Sequence, residues 1–303
     1  MNNMEKTGLV LEGGGMRGIY TAGVLDVLME EKIVVDGVIG VSAGAIHGCS
    51  YVSGQNGRSI RYYKKYCTDD RFMSFRNFIK TGDLVDEKFC YHDLPETLDP
   101  FDFGAFQKSG IEFYVTCTNL ETGKSEYIRL TDMKEEIDYM RASASLPYVS
   151  RIVEKDGKKL LDGGCSDSIP VRAFMEMGYR RNVVVLTRPA DYRKKPEKKG
   201  LARIVYKKYP NFVRNLETRP EVYNRTVQDI EELERQGAVF VIRPSFALSI
   251  GRMSHDVKEI IAAYERGRSD AWDRLDALKT WLSGNTRAER ETTAASVEET
   301  AVE

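Results

Sequence analysis

The chain has 303 residues, of which 42% are hydrophobic and 30% charged, and its formal net charge is -1. This composition is typical of a globular protein with one large domain or two modest ones. The near-neutral charge argues against a nucleic-acid-binding protein, which would need a basic domain.

The cysteine pattern and the N-terminus indicate the compartment. The five cysteines (Cys49, Cys67, Cys90, Cys117 and Cys165) are widely spaced and form no Cys-x-x-Cys pair. Neither a disulfide framework nor a structural zinc site is therefore expected. No apolar run approaches the ~20 residues of a membrane span, and residues 1–13 lack the pattern of a secretory signal. We expect a reducing, cytoplasmic location.

The predicted elements alternate along the chain. Strand-like runs, several of them short, continuous and β-branched, predict strands at 8–11, 34–41, 112–118, 125–130, 182–187 and 238–243. Apolar residues at helical spacing predict helices at 19–31, 43–54, 134–145, 171–178 and 255–282. Such alternation predicts an α/β fold with a mostly parallel sheet.

The first predicted strand leads into Gly13-Gly14-Gly15-Met16-Arg17-Gly18. Its Gly13-x-Gly15-x-x-Gly18 spacing fits a dinucleotide-binding turn. That site needs an acidic residue about 20 positions later, at the end of the next strand, but Asp36 lies where the next apolar run begins. A nucleotide site is therefore disfavoured. Consecutive glycines can instead turn several amides toward one anion, and Arg17 is either a helix-face residue or a source of positive potential there.

The second predicted strand ends in Gly40-Val41-Ser42-Ala43-Gly44, a G-x-S-x-G nucleophile elbow. The two glycines remove side chains that would collide in a sharp strand-to-helix turn. Ser42 is expected at the carboxyl end of the strand, beside a helix N-terminus whose amides favour negative charge. The alternative is a glycine-lined turn that carries an ordinary serine.

A nucleophilic serine needs a base, and the chain has three histidines. His47 lies on the helix after Ser42 and is expected to point elsewhere, and His92 lies in a loop-like stretch. A Ser42–Asp162–His255 order would match an α/β-hydrolase triad. In that fold, however, several strands precede the elbow, whereas one does here.

The other candidate base is Asp162. It follows the apolar pair Leu160-Leu161 and precedes Gly163-Gly164, which lets the backbone fold tightly. A plain Asp-Gly hairpin turn is the alternative interpretation.

Together these three motifs, in this order, resemble the signatures G-G-G-x-R/K-G, G-x-S-x-G and D-G-G/A of the patatin-like phospholipase family. The resemblance covers about residues 7–175. Residues 141–147 resemble the family's A-S-x-x-x-P stretch, and Asp167 with Pro170-Val171 resembles the usual continuation of the aspartate motif. The resemblance implies a three-layer α/β/α patatin-like fold with a mostly parallel central sheet and a helix-rich C-terminal extension.

The resemblance also implies the site residues. Ser42 would be the nucleophile and Asp162 the proton acceptor of a dyad. The oxyanion hole would be formed by Gly13, Gly14, Gly15, Arg17 and Gly18. The supporting residues would be Gly40, Ala43, Gly44, Gly163 and Gly164.

The implied activity is hydrolysis of fatty-acyl lipid esters through an acyl-enzyme. A carboxylate is a weak base, which suits esters better than amides. No H-E-x-x-H or comparable metal-ligand spacing occurs in the sequence, so neither a metal nor an organic cofactor is expected. A lipid-binding or regulatory protein that keeps the pocket without turnover is the second hypothesis.

The domain prediction is a catalytic domain at 5–175, an α/β extension at 176–283 that completes the fold, and a disordered tail at 284–303. The segment 188–213 is rich in lysine and arginine and includes Tyr206, Phe212 and Val213. It is either a solvated loop and helix face or a surface for anionic lipid headgroups. The predicted partners are an acyl-ester lipid and, through this segment, a membrane surface.

Overall fold

One eight-stranded sheet forms the centre of the computed structural model, which describes residues 6–196 and 200–284. The strands are β1 Thr7–Leu11, β2 Gly37–Val41, β3 Glu112–Asn119, β4 Ser125–Leu130, β5 Val153–Lys155, β6 Lys158–Asp162, β7 Arg181–Val185 and β8 Val239–Ile242. Their order is β5-β6-β3-β2-β1-β7-β8, and β4 also pairs with β3. The strands β3, β2, β1, β7 and β8 are parallel, whereas β4 and β6 run antiparallel to β3. The predicted mostly parallel sheet is confirmed.

Helices cover both faces of this sheet. The α-helices are α1 Ile19–Glu30, α2 Ala43–Val52, α3 Arg58–Tyr66, α4 Phe75–Thr81, α5 Phe103–Lys108, α6 Ile137–Ala144, α7 Val171–Glu176, α8 Leu201–Val205, α9 Pro210–Arg235 and α10 Val257–Leu282. Short 3-10 turns occupy Gly15–Gly18 and Gly163–Cys165, and a π-helix occupies Phe89–Leu98.

The three layers follow from the side-chain alternation of the strands. Leu9 and Leu11 of β1 pack into one core with α1, α2 and α10. Val10, between them, packs into the opposite core with α7 and α9. The fold is therefore the α/β/α sandwich that the resemblance implied.

Several elements differ from the prediction. The strand predicted at 34–41 begins only at Gly37, and Val34 is exposed. The helices α3, α4, α5, α8 and α9 and the π-helix were not predicted. In the case of α9, Pro220 lies inside the helix, and proline normally ends a helical pattern.

The region after residue 175 contributes β7 and β8 to the same sheet, with β7 paired to β1. The prediction of a disordered tail lies, apart from Gly284, outside the described residues. The prediction that the apolar residues of segment 188–213 belong to a lipid-binding surface is corrected by the structure. Tyr206, Phe212 and Val213 are buried in a small core beside β6 because they pack around Leu161, so they are not a lipid-facing surface.

Within the described ranges, no helix has both the length and the apolar character that crossing a bilayer requires.

Candidate active site

Ser42 occupies a sharp turn between β2 and α2, as the elbow motif predicts. Its backbone has φ 54° and ψ -124°, a region in which residues other than glycine are strained. Its side chain is 6% exposed. A residue held in such a conformation by its surroundings is typical of a functional site.

The flanking glycines are required by close backbone approach. A β-carbon on Gly40 would lie 2.5 Å from the backbone of Ala45, and one on Gly44 would lie 2.5 Å from the carbonyl oxygen of Leu11. Any larger residue would push α2 away from β1 and β2. The turn therefore depends on both glycines.

Asp162 meets Ser42 because β2 and β6 end head to head on one edge of β3. Val41, the last residue of β2, pairs with Thr116, and Asp162, the last residue of β6, pairs with Cys117. The opposite edge of both β3 residues is occupied by β4. The Ser42 hydroxyl lies close enough to the Asp162 carboxylate to favour its ionised form, which acts to lower the pKa of Asp162.

The last turn of α6 and the residue that follows it hold both residues. The amide of Ser42 donates to the Ser143 hydroxyl at 2.9 Å, and that hydroxyl donates to the carbonyl of Thr116 at 2.7 Å. The amide of Asp162 donates to the carbonyl of Ser145 at 2.8 Å. The stretch that resembles A-S-x-x-x-P therefore positions the backbone of both candidate residues, a role that the sequence did not reveal.

Asp162 is 2% exposed. Burial raises its pKa, and the charge of Arg219, the hydrogen bond from Ser42 and the amide of Gly164 oppose that rise. The Gly164 amide donates to Asp162 Oδ1 at 2.7 Å. A buried carboxylate with a raised pKa is a better proton acceptor than one in water.

The glycine loop lies against Ser42. A β-carbon on Gly13 would lie 3.1 Å from the β-carbon of Ser42. Gly15 has φ 59°, and the carbonyl of Arg252 passes where its β-carbon would be. The amides of Gly14 and Gly15 donate no hydrogen bond to another described residue.

Glu12 anchors this loop, and sequence reasoning did not single it out. It accepts hydrogen bonds from the amide and hydroxyl of Thr187, at 2.6 and 3.1 Å, and from the Tyr223 hydroxyl at 2.9 Å. Glu12 is 4% exposed, so these bonds satisfy a buried charge. They fix the end of β1 to the end of β7 and to α9.

Arg17 is also buried beside the loop. Burial and the positive charges of Arg188 and Arg252 lower its pKa to about 10. Gly18 packs against the first residue of α2, Ala43. Gly163 lies against the carbonyl of Thr116.

The three histidines do not meet Ser42. His47 hydrogen-bonds Ser59 at 3.0 Å, and burial with the nearby charge of Arg58 lowers its pKa to about 3. The ring of His255 hydrogen-bonds the carbonyl of Cys67. His92 is on the π-helix and faces Glu96.

Two cavities open beside Ser42. The first is mostly apolar and is lined by residues such as Met16, Ile46 and Met140. The second is lined by Asp162, the glycine loop and several arginines. Gly15, Ser42 and Leu146 border both cavities, so Ser42 lies at their junction. Neither cavity is lined by His255 among the residues described.

Residues 6–196 and 200–284 contain no group of three or more His, Cys, Asp or Glu side chains arranged to hold a metal ion.

Two family models match the chain. The model for patatin-like phospholipases matches residues 9–175, and a domain of unknown function (DUF6363) matches residues 209–283. The uncharacterized protein YjjU of Escherichia coli K12 is 29% identical over 275 residues, which cover 86% of this chain and 74% of that protein.

The lysophospholipases of two fungi are also similar. The Emericella nidulans protein is 32% identical over 184 residues, and the Saccharomyces cerevisiae protein is 28% identical over 201 residues. They cover 56% and 62% of this chain, but the chain spans only 11% of the length of either. The solved structure of VipD from Legionella pneumophila aligns over 90% of this chain and 67% of its own, with a TM-score of 0.46 and 14% identity.

Proposed function

The chain belongs to the patatin-like phospholipase family, and on this basis we propose that it is a serine acyl hydrolase that cleaves fatty-acyl lipid esters through Ser42 and Asp162. The observation that supports the proposal is the meeting of β2 and β6 on β3, because it puts Ser42 and Asp162 at adjoining strand ends that line one cavity.

The reaction has two halves. Asp162 takes the proton of the Ser42 hydroxyl as its oxygen attacks the ester carbonyl carbon, and the carbonyl oxygen becomes an oxyanion. When the tetrahedral intermediate collapses, the bond to the alcohol oxygen breaks, and that oxygen takes the proton from Asp162. Water then gives a proton to Asp162, attacks the acyl-enzyme and releases the fatty acid, and the proton returns to Ser42.

The glycine loop is proposed as the oxyanion hole. Its location against Ser42 and the unused amides of Gly14 and Gly15 support this role. Backbone donors aimed at a developing oxyanion are typically worth about 3–4 kcal/mol each. The apolar cavity, which begins at Ser42, would hold the acyl chain.

Membrane contact is proposed for a surface redefined by the structure, the α8 patch of Leu201, Ile204 and Val205, which are 57%, 73% and 50% exposed. Tyr206, next to this patch, hydrogen-bonds the amide of Tyr148, and Leu146 in the same turn borders both cavities. The patch is therefore next to a turn that borders both cavities, which supports a role in bringing a lipid to Ser42.

The test measures free fatty acid released from lipid esters, together with labelling by a fluorophosphonate. Wild type should release fatty acid and become labelled, whereas Ser42→Ala and Asp162→Asn should do neither. His255→Ala should keep near-normal turnover, because its ring bonds the Cys67 carbonyl. Folded wild-type protein that neither labels nor hydrolyses would favour the alternative, a lipid-binding or regulatory protein, and loss of turnover in His255→Ala would favour a triad.

A further inference from the structure

The second cavity beside Ser42 is strongly basic. Its lining includes five cationic side chains, Arg17, Arg188, Lys194, Arg219 and Arg252, and two carboxylates, Glu12 and Asp162. Four of these five cations come from residues after 175, beyond the part of the chain that the family model matches. Most of the positive charge of this cavity is therefore supplied by the C-terminal part of the chain.

The four arginines of this cavity differ in their ion pairing from Arg58 and Arg266. Arg58 pairs with Asp99 and Arg266 with Asp270. Within the described ranges, in contrast, Arg17, Arg188, Arg219 and Arg252 form no ion pair of 4.0 Å or less.

Among these arginines, Arg17 gives the clearest indication of a bound anion. It is 6% exposed, and its Nε has no hydrogen-bond partner among the described residues. A buried and unpaired guanidinium is costly unless a ligand supplies the missing acceptor. Repulsion by Arg188 and Arg252 contributes to the lowered pKa of Arg17, and a bound anion would relieve that repulsion.

The two carboxylates of the cavity do not neutralise these arginines. Both oxygens of Glu12 are taken by Thr187 and Tyr223. Asp162 accepts from Gly164 and interacts with Ser42. An incoming anion is thus the group that completes the cavity.

A headgroup cation would find no place there. A quaternary ammonium is usually bound by aromatic rings, and the two tyrosines of the lining are already covered. Arg188 lies over the Tyr192 ring at 4.3 Å, and Lys194 lies over the Tyr223 ring at 4.4 Å.

From these observations, and resting on the proposed function, we propose that the basic cavity binds the phosphate of an anionic phospholipid substrate whose headgroup carries no cation. Arg17, Arg188 and Arg252 hold the phosphate while the ester carbonyl lies at Ser42 and the acyl chain enters the apolar cavity. Arg188 and Arg252 are then specificity-determining residues supplied by the C-terminal part of the chain.

The test compares three substrates with one oleoyl chain: oleoylglycerol phosphate, its choline-headed counterpart and uncharged monooleoylglycerol. Each is presented at the same low mole fraction in uncharged detergent micelles, so that the surface charge stays close to zero. Wild type should prefer the glycerol phosphate ester by about tenfold or more in kcat/KM, the usual effect of a charged hydrogen-bond partner. Arg188→Gln and Arg252→Gln should lower that preference about tenfold each.

The matched control is Arg225→Gln, which removes one positive charge from an exposed position on α9 outside the cavity lining. It should keep the wild-type preference. Arg219 is left unchanged here because its charge also acts on Asp162.

The outcomes separate the two proposals. Ser42-dependent cleavage of all three esters at equal rates would overturn the phosphate site and leave the hydrolase intact. If no ester is cleaved, the proposed function fails, but the cavity can still be tested by calorimetric binding of oleoylglycerol phosphate to Ser42→Ala. Binding that Arg188→Gln weakens would support the phosphate site. No binding would overturn it. Inhibition by inorganic phosphate without a preference among the esters would indicate a free-anion site and overturn the assignment to substrate.

Discussion

The amide of Ser42 donates to the hydroxyl of Ser143, and the same hydroxyl donates to the carbonyl of Thr116 on β3. Ser143 is fully buried. One side chain therefore fixes the strained backbone of Ser42 to the strand on which β2 and β6 meet.

Replacement of Ser143 by alanine should lower kcat on an uncharged ester by about 100-fold, since misplacement of a reacting group by about 1 Å has this effect. It should also cost about 1–3 kcal/mol of unfolding free energy, because two buried polar groups lose their partner. Ester hydrolysis and urea unfolding measure the two effects.

Ser145→Ala is the matched control for Ser143→Ala. Its hydroxyl donates to the carbonyl of Arg141. Its backbone carbonyl, which a substitution keeps, accepts from the Asp162 amide. Ser145→Ala should stay close to wild-type kcat. Equal losses in the two variants would contradict a specific role for Ser143.

The pH dependence of hydrolysis should report Asp162. The proposed base must be ionised, so kcat/KM should fall as the pH drops through the pKa of Asp162. Burial raises that pKa, and the positive charge of Arg219 opposes the rise. Arg219→Gln should therefore move the acid limb of the profile to higher pH, measured on an uncharged ester so that headgroup binding plays no part. An acid limb that stays in place, or that moves equally in Arg225→Gln, would argue against this coupling.

The backbone strain at Ser42 should lower the free energy of unfolding. A non-glycine residue in this backbone region costs about 1–3 kcal/mol. Ser42→Gly should relieve it and raise the free energy of unfolding by about 1 kcal/mol over Ser42→Ala, which removes the hydroxyl but keeps the β-carbon. Denaturant unfolding of both inactive variants measures the difference, and coincident unfolding curves would mean that the elbow is unstrained.

Membrane binding should depend on the α8 patch. Ile204→Asp removes an apolar side chain worth about 1.5–3 kcal/mol when buried, so flotation with anionic liposomes should fall about tenfold or more. Val222→Asp is the control, because Val222 is also an exposed aliphatic residue, on α9. Equal flotation of wild type and Ile204→Asp would remove the proposal.

Much of the fold was readable from local patterns. The six predicted strands are present, and the β-branched runs among them suit a sheet covered on both faces. The region 58–108 was not predicted, since its helices are short and one is a π-helix around Pro95. Such segments take their shape from packing over the apolar cavity more than from their own periodicity.

The three glycine-containing motifs and the α/β class could be predicted from the sequence by itself. The reason is that tight turns and strand or helix periodicity depend on residues that are neighbours in the chain. The tertiary structure alone decided that Ser42 and Asp162 meet, that Ser143 holds the elbow, and that Arg17, Arg188 and Arg252 converge beside it. These positions are far apart in the chain, and the order of the strands brings them together. In the sheet, β1 lies between β2 and β7, and β6 pairs with β3 just beyond the end of β2. The spacing of residues along the sequence does not predict which strands are neighbours in the sheet.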